Sequence, residues 1–530
     1  MRALLVYPRF PTTYWGFQFS LPLIYSRATL PPLGLISVAA LLPRTWELRL
    51  VDLNIEPLDD EALRWAEVVM VSGMLVQEPS MHEVLERARL LGRRTIVGGP
   101  AVTTSPELFP EADCVFLGEA EGRTEELCRA VEGAEGSPRV LRAPALRPAL
   151  ELVPVPRFEL LQMKRYRSMA IQSSRGCPFR CEFCDIVVMF GRVPRVKSAA
   201  QVEAELDRLY ALGYRGDVFV VDDNFIGNKA AVRPILKAMA AWQARAGQPF
   251  SFYTEASLNL AADDELIAAM QEASFNSVFI GIETPDVETL KKAGKLQNVR
   301  VDLRAALDKL TAAGFEVMGG FIVGFDGDGP RSFEAQRELL RDAPVALAMV
   351  GLLTAFPGTA LWARLEAAGR LRRSTAGDAF GRPNFQPTMP EAALVEGYAN
   401  LLRELYSPEG YFLRSAALVD RIGAPKRPAK LRLVDVRIAL NAVLRLGILG
   451  PRRAFFWKLL ARGARRNLTA VRSAIACAVM GEHLIRYTAE VVTPRIELAL
   501  QEIAREQARA QPAASFMART TVPALSAANG

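Results

Sequence analysis

A run of three closely spaced cysteines constrains this chain more than any other feature of its sequence. Cys177, Cys181 and Cys184 follow the pattern CxxxCxxC and are three of the six cysteines in 530 residues. Three thiolates can bind three irons of a [4Fe–4S] cluster, because iron–sulfur clusters are held by cysteine. No fourth cysteine lies nearby in the sequence, so the fourth iron would be open to a small molecule. An open iron indicates chemistry at the cluster, whereas four protein ligands would indicate electron storage.

Two other uses of these cysteines have to be weighed against a cluster. Structural zinc sites usually need four ligands, often as two separated CxxC pairs. This sequence has no second pair, and its two histidines are His82 and His483. A disulfide would leave one of the three thiols unpaired and is typical of secreted proteins. The pattern therefore favours the cluster over zinc and over a disulfide.

The cysteine run also carries a family resemblance. Cys177, Cys181, Phe183 and Cys184 fill every position of CxxxCxΦC, where Φ is aromatic, and the chain thereby resembles the radical SAM superfamily. The resemblance implies that S-adenosylmethionine (SAM) chelates the open iron, with Phe183 in its binding site. One electron from the cluster would then split SAM and form a 5′-deoxyadenosyl radical. The protein would hold the reacting atoms close together and exclude water.

Length and composition indicate a multidomain globular protein. A chain of 530 residues allows about three domains, and the hydrophobic share of 50% and charged share of 23% are ordinary for such proteins. Residues 1–8 predict a strand rather than a signal peptide, and no apolar run free of charge is long enough to predict a transmembrane helix. Six cysteines are too few for a disulfide scaffold. These features, and the oxygen sensitivity of a cluster, favour a cytoplasmic protein.

The first 137 residues alternate between predicted strands and predicted helices. The strands are predicted at Ala3–Tyr7, Glu47–Asp52, Val68–Ser72, Thr95–Val97 and Asp113–Leu117. Short apolar strands separated by helices are typical of a parallel sheet with helices on both faces. Ligands of such sheets bind beyond the carboxyl ends of the strands. Glycine and polar residues lie at these predicted ends: Asp52, Asn54, Ser72, Gly73, Gly98, Gly99, Gly118 and Glu119.

This Rossmann-like pattern resembles the cobalamin-binding domain that precedes many radical SAM cores. The resemblance covers residues 1–137 and implies that cobalamin contacts Ser72, Gly73, Gly98, Gly99, Gly118 and Glu119. The DxHxxG motif of the methionine synthase family, whose histidine binds cobalt from below, does not occur in the sequence, and His82 lacks that context. The lower axial ligand of cobalt is therefore not predicted. A sheet that has lost its cofactor is the alternative.

A proline-rich linker, residues 138–165, leads to a second α/β domain. Five prolines make this stretch typical of a linker: Pro138, Pro144, Pro148, Pro154 and Pro156. In residues 166–365, six predicted strands alternate with helices, which fits an open (β/α)6 partial barrel, the radical SAM core. The strands are predicted at Met169–Ser174, Asp217–Val221, Phe250–Glu255, Val278–Ile282, Glu316–Ile322 and Ala348–Leu353.

Polar residues again follow the strands of the partial barrel, where such barrels place their chemistry. Carboxylates and amides suit the ammonium group and the ribose hydroxyls of SAM, which need acceptors. Together with Phe183, the predicted SAM-binding residues are Asp222, Asn224, Glu255 and Glu283. The alternative for Asp222 and its neighbour Asp223 is that they cap the next helix.

The C-terminal domain, residues 366–510, is predicted to be helical and is basic in part. Between Arg414 and Arg486 there are 16 lysines and arginines but three acids. Two segments, Leu431–Leu449 and Ala454–Arg472, mix these cations with large apolar residues. Such basic amphipathic helices are candidates for contact with an anionic membrane or a lipid substrate.

Two alternatives exist for this basic region. One is a helical cap on the barrel with a solvated basic face. The other is nucleic-acid binding through phosphates, which is disfavoured because the sequence contains no known reading motif. Residues 511–530 are small and polar and are predicted to be a disordered tail.

Domain order and short sequence runs resemble one group of cobalamin-binding radical SAM proteins with a helical C-terminal extension. The group includes hopanoid C-2 methylases. The shared runs are Pro-Leu-Gly at 32–34, Val-Asp-Asp-Asn-Phe-Ile-Gly at 221–227 and Gly-Ile-Glu-Thr-Pro at 281–285.

This resemblance implies a cobalamin-dependent radical SAM methyltransferase of the class B type, which methylates an unactivated carbon, for instance of a lipid such as a hopanoid. The implied cofactors are a [4Fe–4S] cluster, SAM and cobalamin. The implied partners are a small-molecule or lipid substrate, an electron donor such as flavodoxin or ferredoxin, and the inner face of a membrane. The alternatives are a radical SAM cyclase or rearrangement enzyme, and a non-catalytic binding protein with a vestigial cluster.

Overall fold

Two parallel sheets and a set of C-terminal helices make up the described part of the protein. The computed structural model describes residues 1–134, 136–142, 144, 146–372, 380–428 and 430–510, and the tail predicted to be disordered, 511–530, lies outside them. A Rossmann-like domain, a partial barrel and a helical extension follow one another in the predicted order. The predicted fold class is therefore confirmed.

The first sheet has six parallel strands in the order β2-β1-β3-β4-β5-β6. Its strands are β1 (Arg2–Tyr7), β2 (Glu47–Asp52), β3 (Val68–Ser72), β4 (Arg94–Gly98), β5 (Cys114–Phe116) and β6 (Val140–Leu141). Its helices are α1 (Leu33–Leu41), α2 (Asp60–Trp65), α3 (Glu78–Leu90), α4 (Pro100–Thr104) and α5 (Thr124–Glu132). The strand order reverses between β1 and β3, and ligands of such sheets bind in the crevice beyond that point.

The second sheet has six parallel strands in the order β14-β13-β12-β11-β10-β7 and curves into the partial barrel. The strands of this region, with a short antiparallel pair β8–β9, are β7 (Ser168–Ile171), β8 (Ser174–Arg175), β9 (Arg195–Val196), β10 (Gly216–Val220), β11 (Phe250–Ala256), β12 (Phe275–Glu283), β13 (Glu316–Val323) and β14 (Ala348–Leu352). The helices are α6 (Ile186–Phe190), α7 (Ala199–Ala211), α8 (Lys229–Ala246), α9 (Asp264–Glu272), α10 (Val287–Lys292), α11 (Leu303–Ala312), α12 (Pro330–Asp342) and α13 (Ala360–Ala367).

Capping residues define where the barrel helices begin. The side chain of Asn228 caps α8 by accepting a hydrogen bond from the N–H of Ala231, and Asp263 caps α9 in the same way. The helix after β10 is thus capped by Asn228, which leaves Asp222 and Asp223 free for another role.

The C-terminal helices pack on the barrel and share its hydrophobic core. They are α14 (Glu391–Leu405), α15 (Pro408–Arg421), α16 (Leu433–Ala442), α17 (Arg453–Ala464), α18 (Leu468–Tyr487) and α19 (Thr493–Ala510), and a π-helical turn, Val443–Ile448, continues α16. The Tyr398 hydroxyl donates to the carbonyl of Val350 in β14 at 2.9 Å, and Ser473 in α18 donates to Glu316 in β13 at 2.5 Å. One wall of the barrel is therefore covered by helix.

One of the two predicted basic segments is divided in the structure. The segment predicted at Ala454–Arg472 is broken between α17 and α18, because Asn467 caps a new helix by accepting from the N–H of Ala470. The run Leu468–Arg509 is long and apolar enough to cross a membrane by length and composition alone. However, 56% of its most apolar window is buried inside the protein, as in the core helix of a globular domain.

Candidate active site

The loop that carries the three cysteines is held by two carboxylates at the end of β10. Asp222 accepts hydrogen bonds from the backbone N–H of Ser173 and from the hydroxyl of Ser174, both at 2.7 Å. Asp223 accepts from the backbone N–H of Gly176 at 2.9 Å. Gly176 has φ 96°, and a Cβ there would lie 2.9 Å from a carbonyl oxygen across the loop, so this position requires glycine. Asp222 thus positions the cysteine loop, and its direct contact with SAM stays a prediction.

The predicted cluster ligands, Cys177, Cys181 and Cys184, lie close enough to influence one another. Burial raises the pKa of Cys184, and the other two thiols raise it further. Side-chain amides face two of the sulfurs: Asn224 Nδ2 lies 4.0 Å from Sγ of Cys177, and Gln297 Nε2 lies 3.7 Å from Sγ of Cys181. Among the described residues, no group of three or more His, Cys, Asp or Glu is arranged to hold a single metal ion. An iron–sulfur cluster needs a different arrangement of ligands from a single metal ion, because each thiolate binds its own iron.

Two carboxylates and a lysine line the end of β11 and β12 next to this loop. Oε1 of Glu283, a residue with φ 66°, accepts a hydrogen bond from Nζ of Lys295 at 2.5 Å. Burial opposes the positive charge of Lys295, but Glu283 and the thiol of Cys181 outweigh it and raise its pKa. Burial and then the charges of Asp223 and Glu283 raise the pKa of Glu255 to about 7. A cation beside a carboxyl group with so high a pKa would stabilise its ionised form.

The structure therefore gathers most of the predicted SAM-binding residues around the cysteine loop. Asn224 donates to the Ser257 hydroxyl at 3.2 Å, and the ring of Phe183 packs edge-on against Phe325 with centroids 5.8 Å apart. Lys295 and Gln297 escaped the sequence reasoning, because they follow α10 rather than a strand.

The predicted cobalamin contacts of β3 and β4 form a cradle of small residues. Gly99 has φ 92°, and a Cβ there would lie 2.3 Å from Oγ of Ser72. The carbonyl of Gly73 accepts from the backbone N–H of Ala101 at 3.1 Å. Ser72, Gly73, Gly98 and Gly99 thus meet at one edge, where the backbone can approach a ligand closely.

Gly118 and Glu119 lie one strand further, beyond β5, and Glu119 is engaged in ion pairs. Its carboxylate accepts from Arg175 at 2.7 Å and from Arg195 at 2.8 Å, and Glu121 also pairs with Arg175 at 2.8 Å. These side chains are nearly buried, with exposures of 6% for Glu119, 11% for Arg175 and 16% for Arg195. The pairs join the first sheet to the cysteine loop. A contact between Glu119 and cobalamin stays a prediction.

A cavity of about 1740 Å³ runs between the first sheet, the barrel and the C-terminal helices. Four barrel strands each place a polar residue near their start in the wall of the cavity. Two residues further along, on the same face of the sheet, each of these strands places an aromatic or apolar residue in the wall. The polar residues are Asp217, Ser251, Ser277 and Glu316, and the residues above them are Phe219, Tyr253, Phe279 and Met318. Tyr7, Asn54 and Met74 from the first sheet and Glu255 from the barrel line the same cavity. Both strand-end edges thus open into one space.

The connection between β1 and α1, residues 8–32, closes this space on the open side of the barrel. Trp15 packs edge-on against Phe279, with ring centroids 5.1 Å apart. The Tyr14 hydroxyl lies 2.6 Å from that of Thr488, and Nε2 of His483 lies 2.9 Å from the carbonyl oxygen of Thr13. Sequence reasoning missed these residues. The available signal was the length of the connection, because loops this long in compact domains are usually functional.

Family models match the chain in the order that the structure shows. A B12 binding domain matches residues 21–128, the radical SAM superfamily matches residues 171–340, and a domain of unknown function (DUF4070) matches residues 359–496.

Relatives of known sequence match almost the full chain. An uncharacterized methyltransferase of Synechocystis sp. is 39% identical over 99% of this chain and 98% of its own length. A hopanoid C-2 methylase of Rhodopseudomonas palustris is 35% identical over 92% of this chain and 94% of its own length. The solved structure of TsrM from Kitasatospora setae, a radical SAM methyltransferase with tryptophan substrate and a SAM analog bound, has the same fold. Its TM-score is 0.59 at 17% identity, with 88% of this chain and 99% of that chain covered.

Proposed function

The chain belongs to the cobalamin-dependent radical SAM methyltransferases, and on that premise we propose that it methylates an unactivated carbon of a polycyclic lipid such as a hopanoid. The observation that carries this proposal is the cavity. Its volume of about 1740 Å³, above the roughly 300–1,000 Å³ of common small-molecule pockets, leaves room for a large substrate beside the cofactor groups at the two strand-end edges. Its walls at Phe219, Phe279 and Met318 offer apolar contacts that suit fused hydrocarbon rings.

The residues of the site fit the cofactors of this family. Three thiols close together on one loop suit a [4Fe–4S] cluster with one open iron. Burial raises the pKa of Asp223 to about 6 and that of Glu255 to about 7, so both carboxylates would be stabilised by the sulfonium and ammonium groups of SAM. The cradle at Ser72 and Gly99 allows cobalamin to approach the backbone. When bound, these cofactors supply hydrogen-atom abstraction and a transferable methyl group.

The residues of the protein hold the reacting groups in position and exclude water from the cavity. A substrate carbon in the cavity lies between the edge of the first sheet, at Asn54 and Met74, and the edge of the barrel, at Glu255. Groups held in register in this way react as if they were one molecule. The connection 8–32 covers the open side of the barrel and shields a reactive carbon from solvent.

The hopanoid C-2 methylase of Rhodopseudomonas palustris, 35% identical over nearly the whole chain, supports a polycyclic lipid as the substrate. We further propose that electrons reach the cluster from a carrier such as flavodoxin or ferredoxin. A substrate of this kind resides in a membrane, so the proposal includes peripheral contact with the inner face of a bilayer.

The test is an anaerobic assay with the cluster-loaded and cobalamin-loaded protein, SAM, a reductant and a purified hopanoid in detergent. We expect the hopanoid to gain the mass of one CH2 group, with equal amounts of S-adenosylhomocysteine and 5′-deoxyadenosine. Squalene, an open-chain triterpene without the fused rings, is the matched control and should remain unchanged. Methylation of squalene at an equal rate, or no methylated hopanoid beside formed 5′-deoxyadenosine, would contradict a polycyclic substrate.

A further inference from the structure

The segment formed by α16 and the π-helical turn that follows it has an apolar face that is exposed to solvent. Leu433, Val436, Leu440, Leu444 and Ile448 are 86%, 40%, 65%, 48% and 55% exposed. Their spacing of three or four residues places them on one side of the helix. We name these five residues the apolar stripe. A helix that only packs on a globular core buries its apolar face. The exposed stripe therefore indicates that this helix has an apolar partner.

Cations that have no acidic partner among the described residues surround the apolar stripe, and one of them, Arg437, lies over the ring of Tyr25 at 5.0 Å from its centroid. Arg437 and Arg445 are exposed on the same segment, and Arg453 and Lys458 are exposed on α17. The acids of this region are already engaged: Asp435 pairs with Arg432, Asp420 with Arg462, and Glu482 with Arg452. Within the described residues, the four cations named first therefore have no acidic partner. An apolar stripe flanked by free positive charge is complementary to an anionic lipid surface.

The apolar stripe also borders the mouth of the cavity. Val436 belongs to the stripe and lines the cavity, together with Ile438 and Ala439 on the same helix. Leu431 and Leu468, at the starts of α16 and α18, line the mouth as well and are 62% and 63% exposed. An object docked on the stripe would therefore face the entrance.

We propose that the apolar stripe docks the protein on an anionic bilayer and aligns the cavity mouth with the lipid from which the substrate is taken. The route of entry rests on the proposed lipid substrate. The docking does not, because it follows from the exposed residues and charges alone.

Vesicle co-sedimentation of the full-length protein tests the docking. We expect the protein to bind vesicles of phosphatidylcholine with phosphatidylglycerol more tightly than vesicles of phosphatidylcholine alone. The double variant L440E/L444E should bind the anionic vesicles at least about tenfold more weakly. The matched control is L90E, because Leu90 is 71% exposed at the end of α3, and it should bind as the wild type does. Equal binding by L440E/L444E and wild type, or no binding by the wild type, would overturn the proposal.

The charges and the oligomeric state give independent readouts. The variant R437Q/R445Q should lose most of the preference for anionic vesicles and most of the salt sensitivity of binding. Both double variants should keep the cluster absorbance of the wild type, which shows that they are folded. If light scattering instead shows a wild-type dimer that L440E/L444E converts to a monomer, with vesicle binding unchanged, the stripe is a contact between two copies and the proposal fails.

Activity separates this inference from the proposed function. With substrate in detergent, L440E/L444E should methylate at the wild-type rate, and with substrate in anionic vesicles it should be slower by at least about tenfold. Vesicle binding without methylation of any hopanoid would contradict the proposed substrate but not the proposed docking. Methylation in detergent without vesicle binding would do the reverse.

Discussion

Cys181 and Cys128 are both partly buried cysteines, but only the first lies on the loop that the structure prepares for a cluster. Replacing Cys181 with alanine removes one of the three predicted ligands, so the cluster and all methylation should be lost. The matched control C128A, in α5, should keep both. Iron and sulfide content, together with the absorbance of the anaerobically reconstituted proteins, measures the outcome. A full cluster in C181A would show that this residue is no ligand.

His483 gives the protein a stability that depends on pH. Burial lowers the pKa of its imidazole to about 4; Nε2 faces the carbonyl of Thr13 at 2.9 Å and Nδ1 accepts from the N–H of Phe19 at 3.4 Å. The folded state therefore binds a proton less readily than the unfolded state, whose histidine titrates near about 6.5. Its contribution is present above about pH 6.5 and is lost as the pH falls toward about 4, by about 3 kcal/mol in full.

Thermal unfolding at a series of pH values tests this contribution. The variant H483Q keeps a neutral donor and acceptor but cannot be protonated, so its unfolding temperature should fall less between about pH 6.5 and pH 4 than that of the wild type. Acid damage to the cluster affects both proteins alike and cancels in the comparison. Parallel curves for the two proteins would mean that another group titrates.

At the scale of secondary structure, local periodicity predicted most of the barrel. Helical spacing in the sequence predicts helices at Lys229–Ala246 and Asp264–Glu272, and α8 and α9 have these bounds. Asn228 and Asp263 cap their first turns. Strand β12 was predicted from Val278 but begins at Phe275. Its early residues include polar Ser277, which faces the cavity, and a polar residue inside a strand interrupts the apolar run that sequence reasoning follows.

The connection 8–32 could not be predicted in the same way. Some of its contacts, those with Phe279, His483 and Thr488, are with residues far along the chain, and local sequence patterns carry no information about such partners. Its role over the cavity is therefore a property of the assembled fold.

We expect Trp15 in this connection to ensure that radical formation is followed by methylation of the substrate. W15A opens the wall against Phe279 and admits water, so the ratio of 5′-deoxyadenosine to methylated product should rise by roughly tenfold. The control is Y25A, because Tyr25 belongs to the same connection and is exposed to a similar extent, 50% against 46% for Trp15, but does not line the cavity. Both products can be quantified by mass spectrometry with substrate in detergent. An unchanged ratio in W15A would mean that the connection does not shield the reaction.

At the scale of the whole molecule, the sequence predicted the two strand-end edges but not how the two sheets are joined. Parallel strands place their carboxyl ends at one edge, so Gly99 and Glu255 could be placed at these edges from strand positions alone, whereas their contacts with cofactors stay predictions. The ion pairs of Glu119 with Arg175 and Arg195 escaped prediction, because each partner lies in a different domain. Glu119 was instead predicted to bind cobalamin.

The variant E119Q distinguishes joining from cobalamin binding. If Glu119 holds the two sheets together, its loss leaves Arg195 nearly buried without its carboxylate partner and leaves Arg175 with Glu121 alone, which should destabilise the protein by about 3–5 kcal/mol. Calorimetry should then show the first sheet unfolding apart from the barrel. The control E126Q breaks an ion pair with Arg123 in which Glu126 is 43% exposed, and it should cost less than about 1 kcal/mol. If E119Q instead unfolds as the wild type does and loses cobalamin affinity, Glu119 contacts the cofactor directly, and the union of the sheets depends on Glu121 and its pair with Arg175.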